Sequence, residues 1–86
     1  MYHYQVRFFA SLREQLGLEA LSLDSATPVE TVADLVALVG EQQGSHIAQA
    51  LLADNLLVAI NHEMSSLTQP ISSGDEVAFF PPVTGG

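Results

Sequence analysis

The chain has 86 residues, 48% of them hydrophobic, and a formal charge of −8 set by two arginines, no lysine and ten acidic residues. That balance repels phosphate backbones and anionic lipid headgroups, so no nucleic acid and no membrane surface is expected as a partner. The chain also lacks cysteine, which excludes disulfides, zinc thiolate sites and a thiol nucleophile, and any sulfur chemistry must use an acquired sulfur.

A chain of this size makes one domain, with a radius of gyration of roughly 12 Å. Its apolar runs fall short of the roughly 20 residues that cross a bilayer, and a cytoplasmic location is expected. Tyr2, Tyr4, Val6 and Phe8 alternate with His3, Gln5, Arg7 and Phe9 in the period-2 pattern of a central strand. Ala10 to Leu16 is a short helical stretch that Gly17 can close in the left-handed conformation. Leu18 to Leu23 alternates again and is expected to pair antiparallel with the first strand. Asp24 to Pro28 is loop, with a brief return to extended structure at Val29. Thr31 followed by Asp34 resembles a helix cap, and Val32, Leu35, Val36 and Val39 form the apolar stripe of a main helix running to about Gln43. Gly40 weakens that helix and Gly44 stops it. Ser45 is expected to cap a second, shorter helix carrying Ile47, Ala50 and Leu51 and reaching Asp54-Asn55.

Leu56 to Asn61 reads as a strand, Asn61-His62-Glu63 as a turn, and Met64 to Leu67 as a short edge strand. Thr68 to Gly74 is loop. The order β-β-α-β-(β)-β with one long crossing helix predicts an α+β domain. Its expected form is the ubiquitin-like β-grasp arrangement, a mixed sheet of four to five strands against one main helix plus short helices.

The last thirteen residues, Gly74 to Gly86, are the most informative. Gly74-Asp75 is turn chemistry and Glu76 to Phe80 alternates as a half-buried strand, with Val77 and Phe79 on one face. Pro81 and Pro82 lack the N–H that a sheet needs, so pairing must end where they begin. The domain is therefore expected to occupy residues 1–81 and an extended, flexible tail residues 82–86. Phe79 and Phe80 cannot both face the core, so one ring is expected at the surface beside the tail. Two residues without side chains and an α-carboxylate finish the chain, and five residues from Pro82 to Gly86 can reach roughly 15 to 17 Å. Scattered acids suggest no paired-carboxylate site. His3, His46 and His62 have no ligand spacing, so no metal is expected.

Gly-Asp-Glu-Val-Ala-Phe-Phe-Pro-Pro-Val-Thr-Gly-Gly resembles the C-terminus of the small, sulfur-carrying subunit of molybdopterin synthase (MoaD type). Phe8-Phe9-Ala10 with Arg13-Glu14 is similar to that family's opening strand and turn. The resemblance implies that an E1-like adenylyltransferase uses ATP to form a glycyl adenylate at Gly86. The adenylate then becomes a thiocarboxylate (1-thioglycine), whose sulfur the large synthase subunit uses on a pyranopterin precursor to make the molybdopterin dithiolene. No bound cofactor is implied. Gly86 would be the carrier and Gly85 the slender approach. Phe79, Phe80, Pro81, Pro82, Val83 and Thr84 would meet partners in a heterotetramer, this chain being its non-catalytic half. A thiamin-type sulfur carrier, a ubiquitin-like protein modifier and an interaction module without tail chemistry are the competing readings.

Overall fold

A computed structural model of the protein describes residues 1–53 and 55–82. Five strands, β1 (Tyr2–Phe8), β2 (Ala20–Ser25), β3 (Leu57–Ile60), β4 (Glu63–Ser65) and β5 (Glu76–Phe80), lie in the order β2-β1-β5-β3-β4. β1 is antiparallel to β2 and parallel to β5, while β3 is antiparallel to both β5 and β4. The sheet is thus mixed, as the element order predicts. The helical crossing links β2 to β3, which run in the same direction on opposite sides of the parallel β1–β5 pair, so β3 starts at the end of the sheet where β1 finishes.

Three helices, α1 (Ala10–Leu16), α2 (Val32–Gln43) and α3 (Ser45–Leu51), complete the order. Alternation and helical spacing meet in one core: Tyr4, Val6 and Phe8 of β1, Leu23 of β2 and Val77 and Phe79 of β5 lie with Val32, Leu35, Val36 and Val39 of α2. Gly17 closes α1 at φ 69, its N–H donating to the Arg13 carbonyl at 3.0 Å. At the start of α2, Thr31 Oγ1 accepts from the Asp34 amide at 3.3 Å. The Val32 and Ala33 amides donate to the carbonyls of Gln69 and Leu67 at 3.1 and 2.9 Å. The loop before β5 therefore satisfies amides that the helix cannot satisfy itself.

Five local expectations change. The edge strand is Glu63–Ser65 rather than Met64 to Leu67, so Glu63 leaves the turn. β2 begins at Ala20 rather than Leu18. Val29 is buried and makes no strand. Its amide donates to the Tyr4 hydroxyl at 2.8 Å, and the brief extended pairing falls instead at Thr31, opposite Pro70. Ser45 does not cap α3. Gly44, at φ 118, both ends α2 and precedes α3, so the direction changes at one residue and Ser45 is already helical. α3 ends at Leu51, short of Asn55.

Gly40 also has a reason to be there. A Cβ added to it would stand 3.0 Å from the Ala48 Cβ of α3, tighter than an ordinary contact. Gly40→Val is expected to destabilise the fold by about 1–3 kcal/mol through overpacking, read as a lower urea midpoint. An unchanged midpoint would mean that the two helices can part there without loss.

Candidate functional site

The period of β5 sorts its residues between two faces. Val77 and Phe79 point into the helix-covered core with 0% exposure, leaving Glu76, Ala78 and Phe80 on the face that carries no helix. Register then decides what joins them. Ala78 lies opposite Ala59 of β3, Ala59 lies opposite Met64 of β4, and Phe80 lies opposite Leu57. Two small residues side by side in the sheet leave a hollow between larger ones. The result is a groove of about 380 Å³ whose lining includes Ala59, Ala78, Phe9, Met64, Phe80 and Pro81, with His62 and Glu76 at its polar corner. Phe9 and Met64 are 42% and 63% exposed, so a sizeable apolar surface faces solvent beside Phe80 and Pro81.

The walls of the groove are braced by backbone. The Phe9 amide donates to the Phe79 carbonyl at 3.2 Å, and Ala10 starts α1 at once with φ 55, a left-handed conformation costly for a residue with a Cβ. Asn61 and His62, at φ 49 and 73, make the two-residue turn between β3 and β4. Asn61 ties that turn to β5. Its amide donates to the Glu76 carbonyl at 2.8 Å, its side chain donates to Asp75 Oδ1 at 3.0 Å, and its side-chain oxygen accepts from the Glu76 amide at 3.0 Å. His62 Nε2 stands 3.9 Å from Glu76 Oε1 with most of its ring in water, so that contact contributes little. A larger hollow of about 460 Å³ surrounds the other side of the turn, and its lining includes neither Phe80 nor Pro81.

Of the residues expected to meet partners, Phe80 and Pro81 line the groove and Pro82 is exposed just beyond it. Phe79 is corrected: it is core. It shares its face with Val77 on the central strand, and that face is the one the helices cover. Pairing ends at Phe80, where the prolines begin. Val83, Thr84, Gly85 and Gly86 lie outside the described residues. Sequence reasoning missed Phe9, Ala10, Ala59, Met64 and Ala78 as groove residues. Phe9 and Met64 carried a signal, being large apolar residues at positions that alternation turns away from the core.

The mixed sheet, its single main crossing helix and a last strand that runs past an apolar groove toward Gly-Gly define a ubiquitin-like β-grasp protein. Comparison narrows this class. The chain matches the ThiS family over residues 6–86. It is 45% identical over 82 residues to the molybdopterin synthase sulfur carrier subunit of Haemophilus influenzae, covering 94% of this chain and 96% of that one. It is similar to the crystal structure of small archaeal modifier protein 1 of Haloferax volcanii, at 33% identity and a TM-score of 0.71 over 96% of this chain and 100% of that chain. It is also similar to a chain in the complex of subunits 1 and 2 of the molybdopterin-converting factor of Helicobacter pylori, at 25% identity and a TM-score of 0.63 over 98% and 99% of the two chains. The chain belongs to the ThiS family. No helix among the described residues is long and apolar enough to cross a membrane.

Proposed function

We propose that the chain is the sulfur carrier subunit of a cytoplasmic molybdopterin synthase and that its chemistry lies at the Gly86 carboxylate. The observation that supports this best is the 45% identity, across nearly the whole of both chains, to a relative bearing that name. The family match also runs through residue 86. A carboxylate is a poor electrophile, so an E1-like adenylyltransferase first converts it to a glycyl adenylate with ATP. Sulfur then displaces AMP to leave the thiocarboxylate. The large synthase subunit receives the tail and directs that sulfur into a pyranopterin precursor to form the dithiolene, within a heterotetramer. The chain contributes carriage, not a catalytic side chain. The mass of the protein isolated from cells tests the reading, because the thiocarboxylate has one terminal oxygen replaced by sulfur. A mass that stays at the carboxylate value while the synthase is active would overturn it.

In this reading the large subunit seats on the groove at the tail root. Phe80→Asp is expected to weaken that association by about 2 kcal/mol or more, since a charge would enter the apolar contact. The fold should survive, because Phe80 is only half-buried. Titration calorimetry with the large subunit reads the loss, and undiminished affinity would move the contact elsewhere.

A second reading, a protein modifier, is favoured by the likeness to the Haloferax modifier protein. It predicts chain-sized mass additions on lysines of other proteins, which a dedicated sulfur carrier does not leave.

A further inference from the structure

We propose that the chain is a donor-only carrier, whose surface withholds from its own activated terminus any amine that could consume it. The inference rests on the activation of Gly86 proposed above. An adenylate or thioester at Gly86 is open to aminolysis. An amine nitrogen attacks the carbonyl carbon, a C–N bond forms, the C–O or C–S bond breaks, AMP or thiol leaves, and the amine's proton goes to water. Lysine is the side chain that does this, and the 86 residues contain none. Both arginines, Arg7 and Arg13, carry a delocalised guanidinium, which is a poor nucleophile.

The position of Arg7 gives this its force. Arg7 is exposed on the sheet face that bears the groove, and in the parallel β1–β5 pair it stands level with Ala78. Ala78 is two residues before Phe80, a distance of about 7 Å along the strand. The six residues after Phe80 can span roughly 20 Å, so an amine at position 7 would lie well within their reach. The α-amine of Met1 lies at the other end. The same register puts Phe80 level with Phe9, so Met1 lies eight residues behind the point where the tail leaves β5, or about 26 Å back along the sheet. That exceeds the roughly 20 Å that the six residues after Phe80 can span. The sheet therefore carries its cation near the tail root in a form that does not attack, and the α-amine of Met1 lies beyond the tail's reach.

The test uses the full 86-residue chain carrying a preformed alkyl thioester at Gly86, so that neither the activating enzyme nor the synthase enters the readout. Wild type at neutral pH is expected to lose the thioester to hydrolysis alone. Arg7→Lys keeps the charge and adds an amine in reach. It is expected to lose its thioester roughly tenfold faster or more, giving an internal amide lighter than the hydrolysed chain by one water. Peptide mapping should join Lys at position 7 to Gly86. If Arg7→Lys is as inert as wild type, the missing lysine is not what protects the terminus. If wild type closes on Met1 as fast as the variant closes on its lysine, the surface is not inert. Either result overturns the proposal while leaving the sulfur-carrier reading to its own assay.

Discussion

Deletion of Gly86 is expected to reduce sulfur transfer by at least about 100-fold in a system reconstituted from the activating enzyme, a sulfide source, the large subunit and the pterin precursor. Removing one residue withdraws the terminal carboxyl by roughly 3.3 Å, and misplacement of a reacting group by even about 1 Å can cost a hundredfold. Gly85→Val tests the approach rather than the carrier. The branched side chain restricts the backbone and widens the tip, so the variant should fail in a narrow activating site although its carboxylate is retained. Neither change touches the core cluster, which runs from Tyr4 to Phe79, so both variants should unfold at the wild-type urea midpoint. Dithiolene formation followed beside that midpoint separates loss of chemistry from loss of fold. A deletion variant that delivers sulfur at the wild-type rate would remove Gly86 from the mechanism.

Leu35→Ala is expected to cost about 2–5 kcal/mol of stability. Leu35 is 0% exposed in the apolar stripe of α2, and Val32, Val36 and Val39 around it are equally sealed. Truncation there removes apolar burial and leaves a cavity beneath a helix whose start is held by the Thr31 cap and by bonds to the loop before β5. Domains of this kind are stable by only about 5–15 kcal/mol, so the loss is a large share of the total and should show plainly in the urea midpoint. Leu38→Ala, at a half-buried position of the same helix, is the control and should cost distinctly less. Equal effects at the two positions would mean that the stripe is not what holds α2 to the sheet.

Three kinds of local signal show why parts of the molecule were legible in the chain alone. Both the stripe of α2 and the alternation of β1 place large apolar residues at the period of the element itself, so element and buried face are read together. Gly17 and Thr31 mark helix ends through local backbone and side-chain chemistry that needs no distant partner. Pro81 ends β5 because a missing N–H acts at the residue that lacks it. Ser45 shows the limit of this reasoning. Its composition suits a cap, but Gly44 had already taken the turn between the helices, and a propensity gives way to the path of the chain.

The sequence by itself determined the β-grasp element order, the core stripe and the end of the last strand, because each of these rests on local periodicity or on chemistry carried by the residues named. Only the tertiary structure decided that Phe79 belongs to the core while Phe80 lines the groove, since alternation separates the two rings but cannot say which face the helices cover. It also assembled the groove. Ala59, Met64 and Ala78 share one hollow with Phe9 because strands distant in sequence meet in a particular register, and a shift of one residue would turn each side chain to the opposite face. The close approach of Gly40 to Ala48 and the place of Arg7 level with Ala78 have the same origin. Both are distances between segments whose separation is set by packing, and no local property of either segment encodes it.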